Sequence, residues 1–110
     1  MNIIINVKDP KVLKKVIVSD VENGNLPTWE LRTNRSDDKL LTHSTEEWAD
    51  KVLLRLTPNE AAHQLIIEPR YWNKMQKPTK EEFGAVLGRF CERLFVQYSS
   101  FFSSFTCNVN

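Results

Sequence analysis

The sequence has few glycines and few cysteines, and it has no long apolar run. Only three of its 110 residues are glycine, and they form neither a GxGxxG turn nor a Walker loop. This excludes the commonest phosphate-binding motifs. No apolar run approaches the ~18 residues that a membrane-spanning helix requires, so we expect no membrane partner. No basic stretch accompanies the apolar residues 1–7, so we also expect no secretory signal.

The two cysteines and two histidines are not spaced as metal ligands. His43, His63, Cys91 and Cys107 show no CxxC, HxxxH or HExxH pattern, so we expect neither a metal nor another cofactor. The cysteines do not make a disulfide framework, which favours reduced thiols and a cytoplasmic setting. A thiol on an apolar helix face is expected to be inert. The interpretation is a protein without catalytic activity, and an enzyme that uses His43 or His63 is an alternative.

Length and total charge are those of an ordinary domain. A chain of 110 residues predicts a single domain over residues 1–110, with room for one core. Its 15 basic and 14 acidic residues give a net charge of +1, with no overall attraction to nucleic acid or to anionic membranes.

The C-terminal third contains the strongest structural signal. From residue 79 to residue 102, apolar residues recur at spacings of three and four, which predicts one long amphipathic helix. They are Phe83, Val86, Leu87, Phe90, Cys91, Leu94, Phe95, Tyr98, Phe101 and Phe102. Thr79 and Glu82 have the spacing of a capping box at its start. Gly84 and Gly88 border the apolar face, where they either permit close approach of a strand or are merely tolerated.

Several shorter segments predict β-strands. Apolar and β-branched runs predict strands at residues 2–8, 52–56 and 63–71, and alternation predicts a closing strand at 104–109. Residues 12–20 fit either a helical stripe or a strand. Asn23-Gly24 supplies the left-handed positions of a hairpin, so we favour strands at 15–20 and 28–33. Pro69 is expected at a sheet edge, and the Ser44 to Glu47 spacing favours a helical turn around Trp48.

These elements predict an α+β fold. A single, mostly antiparallel sheet of four to six strands would carry the long C-terminal helix on one face, followed by the short closing strand.

Charge is distributed unevenly along the chain. Residues 36–50 contain five acids and one lysine, whereas residues 69–80 contain four bases and no acid. Such runs are commonly solvated faces, and Glu46 and Glu47 would also suit the first turn of a helix. The alternative is a bipolar surface that steers a charged partner. The candidate partner-binding residues of the acidic segment are then Asp37, Asp38, Glu46, Glu47, Trp48 and Asp50.

Arg70, Tyr71 and Trp72 are the second group of candidate partner-binding residues. In an extended segment these three neighbours cannot all face one core, so Tyr71 or Trp72 should be at least partly exposed. They could pack under the following loop, form a hot spot for a protein partner, or stack nucleic-acid bases. The same alternatives apply to Trp48, which belongs to the acidic segment.

The C-terminal third resembles a known group of bacterial proteins. Residues 88–94 (GRFCERL), followed by residues 101–105 (FFSSF), are similar to the ends of small immunity proteins of contact-dependent growth inhibition and polymorphic toxin systems. The preceding Trp72-Asn73 and residues 77–82 (KPTKEE) are similar as well. The resemblance implies a cytoplasmic, non-enzymatic protein that binds one cognate toxin domain and blocks its active site or substrate access. Many such toxins are nucleases with basic clefts, so the acidic segment would be the expected contact.

The prediction is therefore a toxin-neutralising immunity protein whose partner is a cognate protein toxin domain. The alternative is a small nucleic-acid-binding domain that uses the basic segment: Arg70, Trp72, Lys74, Lys77 and Lys80. No feature of the sequence indicates the oligomeric state.

Overall fold

The computed structural model describes residues 1–109 and has the predicted α+β architecture. Asn110, the last residue of the predicted domain, lies outside the described residues. The strands are β1 (Asn2–Val7), β2 (Trp29–Thr33), β3 (Lys39–His43), β4 (Leu53–Asn59), β5 (Gln64–Arg70) and β6 (Phe102–Asn108). The helices are α1 (Pro10–Glu22) and α2 (Lys80–Gln97).

The six strands of the described chain form one antiparallel sheet, in the order β2-β3-β4-β5-β1-β6. β5 as a whole is an interior strand between β4 and β1, but its end at Pro69 lies at a local edge, as expected, because pairing with β1 stops at Ile67. On its other side Pro69 pairs with Leu54 of β4. The closing strand is confirmed as β6, which forms one edge of the sheet beside β1.

The hairpin predicted at residues 15–33 is wrong in its first half, where the structure has α1. Pro10 is at the first helical position, and Leu13, Ile17 and Val21 follow it at helical spacing and are buried. Gly24 has a φ of +77° and its N–H donates to the carbonyl of Val21, so Asn23-Gly24 ends a helix. A helix C-terminus and a tight hairpin both require glycine at positive φ, which is why this dipeptide did not distinguish them.

The long C-terminal helix is confirmed, with a shorter span than predicted. The Thr79–Glu82 capping box is present in both directions, and α2 ends at Gln97 with Tyr98 as its C-cap. Phe102 therefore begins β6 instead of ending the helix. The expected close approach at Gly84 and Gly88 is wrong: a Cβ at either position would meet nothing within 4 Å.

The strand β3 was missed, because Lys39–His43 has two adjacent leucines and no alternation. It pairs with β2 through Trp29–His43 and Leu31–Leu41, and with β4 through Leu41–Leu54. The residues between β3 and β4 form turns around Trp48, where the Ala49 N–H donates to the Thr45 carbonyl.

Both helices pack against one face of the sheet. Leu13 and Ile17 of α1 share a single buried cluster with Phe90 and Leu94 of α2. The α2 helix also contacts both edge strands: the Phe90 ring lies 5.5 Å from that of Trp29 on β2, and the Phe95 ring 5.1 Å from that of Phe105 on β6. Through these aromatic contacts α2 reaches from one edge strand of the sheet to the other.

Candidate partner-binding surface

A cleft lies over the sheet face opposite the helices, which we call the open face. The turn between β2 and β3 and the loop between β5 and α2 leave the sheet at opposite ends of its strands. Together they enclose about 530 Å³ over β3, β4 and β5, and we call this space the sheet cleft. It is lined by Asn34, Arg35, Ser36, Leu40, Leu53, Arg55, Arg70, Tyr71, Trp72, Asn73 and Lys74. Parts of both predicted segments, the acidic one and the aromatic one, thus meet at one concave surface.

The strand register determines which side chains form the cleft. Leu40 is opposite Arg55, and Leu53 is opposite Arg70, so all four project from the open face. Leu40 and Leu53 are buried even though the helices pack on the other face. They form an apolar floor, and the two arginines stand beside it.

The side chains that line the sheet cleft carry positive charge. Arg35, Arg55, Arg70 and Lys74 contribute four cations, and no acid is among the lining residues. Arg55 forms an ion pair with Asp38 at 3.4 Å, and Arg70 forms one with Glu68 at 3.3 Å. Within residues 1–109 neither Arg35 nor Lys74 forms an ion pair. Because exposed ion pairs contribute little, all four cations can turn toward an anionic group entering the cleft.

Tyr71 and Trp72 both lie at the rim of the sheet cleft. Tyr71 is 37 % exposed, and its ring lies 6.4 Å from that of Phe83. Trp72 is half-buried, and its side chain is close enough to the Asp50 carboxylate to contribute to the lowering of the pKa of Asp50. Each therefore presents part of an aromatic ring to the cleft while another part packs on the protein.

Asp50 anchors the turns that precede β4. Its carboxylate accepts from Arg32 Nε at 2.8 Å and from Arg32 Nη2 at 3.2 Å. The hydrogen bond from Arg32 is the main reason why the pKa of Asp50 is lowered, and the same contact raises the pKa of Arg32. The Asp50 N–H donates to Thr42 Oγ1 at 3.0 Å, and this hydroxyl donates to the Val52 carbonyl. This predicted contact residue is thus already engaged inside the protein.

Glu46, Glu47 and Trp48 lie apart from the sheet cleft. A second recess, of about 410 Å³, is lined by Glu47, Trp48 and residues of β2 and α2, including Trp29, Arg89 and Arg93. Trp48 is half-buried against the core, whereas Glu46 and Glu47 are exposed. None of the six acidic-segment candidates lines the sheet cleft. Asp37 and Asp38 follow its lining residue Ser36 in the chain, Asp38 pairs with the lining residue Arg55, and Asp50 is close to Trp72. Asp37 is exposed at the β2–β3 turn with a φ of 60°.

The four candidate metal ligands do not form one site. His43 is buried with its ring edge on Trp29, and its Nδ1 contacts Thr45 Oγ1. His63 is in the turn after β4, where its Nδ1 donates to the Lys8 carbonyl. In the described part of the chain no group of three His, Cys, Asp or Glu side chains is placed to hold a metal ion. Cys91 and Cys107, sixteen residues apart, are close in space, with their sulfur atoms 3.6 Å apart.

Sequence reasoning missed two cations of the sheet cleft, Arg35 and Arg55. Arg35 belongs to the β2–β3 turn, which the sequence marks only as polar. Arg55 stands between Leu54 and Leu56, so strand alternation alone would have assigned it to the open face. Its position opposite Glu68 and near Arg70 required the β4–β5 register.

Neither α1 nor α2 has the combination of length and apolar character that crossing a membrane demands. Comparisons of the chain with protein families, with curated proteins and with solved structures found no match.

Proposed function

We propose that this protein is a toxin-neutralising immunity protein, which binds a cognate toxin domain in the cytoplasm and blocks its active site or its access to substrate. The observation that carries the proposal is the sheet cleft, where Tyr71, Trp72 and four cations surround an apolar floor. Exposed tyrosine, tryptophan and arginine are the residue types that dominate binding energy in protein interfaces. The resemblance of the C-terminal third to immunity proteins supports the same function.

The charges around the cleft suggest how the partner is held. An acidic loop of the toxin would enter the sheet cleft and contact Arg35 and Lys74, which have no ion-pair partner within residues 1–109. Asp37, which follows the lining residue Ser36 in the β2–β3 turn, would meet a basic group of the toxin. Glu46 and Glu47, unpaired among the described residues, lie apart from the sheet cleft and would form a separate contact if the toxin is a nuclease with a basic cleft.

The test is co-expression with the protein encoded by the neighbouring coding sequence. We expect the two proteins to co-purify and the wild-type chain to restore growth to cells that produce the neighbour. Tyr71→Ala should weaken binding by about thirtyfold, the effect of losing about 2 kcal/mol at a hot spot. The double variant Asp37→Lys/Asp38→Lys should also weaken binding without unfolding the domain. Glu60→Lys, at the opposite end of the β4–β5 hairpin, is the control and should bind as the wild type does.

Affinity for the neighbour that is unchanged in both cleft variants would exclude the sheet cleft as the contact surface. If the wild-type chain forms no complex with the protein encoded by the neighbouring coding sequence, that protein is not its partner. The chain would then not be an immunity protein against that neighbour.

A second candidate function is nucleic-acid binding, which the same cleft favours because aromatic rings and cations suit a single strand. The probe is a fluorescent oligothymidylate at low salt, with wild-type protein and with Arg70→Glu/Lys74→Glu. Each phosphate contact should add about 0.7 to the slope of log affinity against log salt. Failure of the wild-type chain to bind this probe would discard the second candidate.

A further inference from the structure

The paired thiols of Cys91 and Cys107 are the chemically most reactive feature outside the sheet cleft. Cys91 is on α2, on the stripe that also carries the exposed Gly88 and Phe95. Cys107 is opposite Ile3 on the edge strand β6. Their sulfur atoms are 3.6 Å apart, and a disulfide bond needs about 2.05 Å, so the two sulfurs must approach by about 1.5 Å.

The two thiols differ in environment. Cys107 is exposed on the sheet edge, where a small disulfide molecule can reach it. Cys91 is half-buried, and burial together with the hydrogen bond to Cys107 raises the pKa of its thiol to about 12. Since the thiolate is the attacking form, Cys107 is the residue that reacts first with an oxidant from solvent, and Cys91 is the one that follows.

The surroundings of the two thiols favour a bond that forms without rearrangement of α2 and β6. Residues 94–110 contain no charged side chain, so β6 and the end of α2 form an uncharged surface. Contacts between the Phe95 and Phe105 rings, 5.1 Å apart, already bring this part of α2 against β6. The bond would therefore join two elements that are in contact before oxidation.

We propose that Cys91 and Cys107 form a dithiol site for thiol–disulfide exchange with a small disulfide of the glutathione class, and that the new bond fastens β6 to α2. In the first step the Cys107 thiolate attacks one sulfur of oxidised glutathione. This forms a mixed disulfide and releases one glutathione thiolate. In the second step the Cys91 thiolate attacks the Cys107 sulfur and releases the second glutathione. The protein loses two protons and two electrons, which together are two hydrogen atoms, and one oxidised glutathione takes them up to become two reduced molecules.

The test uses the full chain in buffers of defined reduced and oxidised glutathione, with intact mass and peptide mapping as readouts. The wild-type chain should lose two hydrogen atoms and yield a 91–107 cross-linked peptide. Cys91→Ser should stop at a glutathione adduct on Cys107, and Cys107→Ser should form neither product under the same conditions.

The same experiment in denaturant measures how much the fold favours the bond. In the unfolded chain, the bond must close the loop between Cys91 and Cys107, at an entropic cost that the folded chain does not incur. We therefore expect the equilibrium constant for exchange to be about a hundredfold larger for the folded chain than for the unfolded one. Equal constants in the two states would overturn the proposal. A wild-type chain that keeps only the glutathione adduct, remains fully reduced, or links two chains to each other would overturn it too.

Discussion

Gly84 and Gly88 are exposed on α2, where the helix gains nothing from the absence of a side chain. A Cβ at either position meets no atom within 4 Å, and glycine within a helix costs about 0.5–1 kcal/mol relative to alanine. We expect Gly84→Ala and Gly88→Ala each to raise the free energy of unfolding by about that amount, measured by urea denaturation. Gly24→Ala is the contrasting variant. It should destabilise the protein, because the φ of +77° is unfavourable for alanine. If Gly88→Ala were destabilising, the site would have a contact that the structure does not show.

His43 should make stability depend on pH. Burial, and then the charge of Arg89, lower the pKa of His43 below its ordinary value of 6.5. As the pH falls through about 6.5, the unfolded chain binds a proton before the folded chain does, so the free energy of unfolding decreases. Above that pH the contribution of neutral His43 is fully present.

The variant His43→Phe keeps a ring against Trp29 and removes the titrating group. Between about pH 7 and about pH 5, its free energy of unfolding should fall less than that of the wild type. His63→Asn, which removes the other histidine at an exposed turn position with a φ of 52°, is the control for the loss of one imidazole. If the free energies of unfolding of His43→Phe and the wild type depended on pH in parallel, His43 would have the same pKa in the folded and unfolded states. That outcome would contradict the prediction.

At the level of elements, α2 could be predicted from the sequence and α1 could not. The capping box and ten apolar residues at helical spacing in and after α2 admit one interpretation. In α1, the adjacent residues Val16, Ile17 and Val18 favour a strand locally, and Asn23-Gly24 serves a hairpin equally well. Tertiary packing favours the helix over the strand, because a helix at this position buries Leu13, Ile17 and Val21 in the shared core.

The sheet cleft required tertiary structure for a different reason. Its aromatic residues and Arg70 could be singled out by residue type, but Arg35 and Arg55 join them only through the pairing of β3, β4 and β5. The missed strand β3 holds the centre of this arrangement, since Leu40 supplies part of the floor. Asp50 was selected for its charge, yet its neighbours Arg32 and Thr42 are 18 and 8 residues away.

Thr42 is the residue through which β3 holds the turns before β4. It is fully buried, accepts from the Asp50 N–H and donates to the Val52 carbonyl. Thr42→Val keeps the shape and leaves both backbone groups without a partner, so we expect a loss of about 1–3 kcal/mol of stability. Thr57→Val on β4 is the matched control, because no hydrogen bond to the Thr57 hydroxyl is found within residues 1–109. Hydrogen exchange should be faster at Asp50 in the Thr42 variant, and equal stabilities of the two variants would contradict the anchoring role.

For the molecule as a whole, α2 is the element that contacts both edges of the sheet. Phe90 contacts Trp29 at the β2 edge, while Phe95 contacts Phe105 at the β6 edge. All fully buried apolar side chains of α2 belong to the same cluster as those of α1 and β1. A molecule with one such cluster should unfold in a single cooperative transition.

Phe90 and Phe95 provide a matched pair to test this, since they have the same side chain on the same helix. Phe90 is fully buried and Phe95 is 66 % exposed. Phe90→Ala should therefore lower the free energy of unfolding by about 3–5 kcal/mol, whereas Phe95→Ala should change it by about 0.5 kcal/mol or less. In both variants, tryptophan fluorescence and far-ultraviolet circular dichroism should give coincident denaturation curves. Separate transitions in the Phe90 variant would mean that the two ends of the sheet fold independently, because Trp29 reports from the β2 edge whereas circular dichroism reports on the whole sheet.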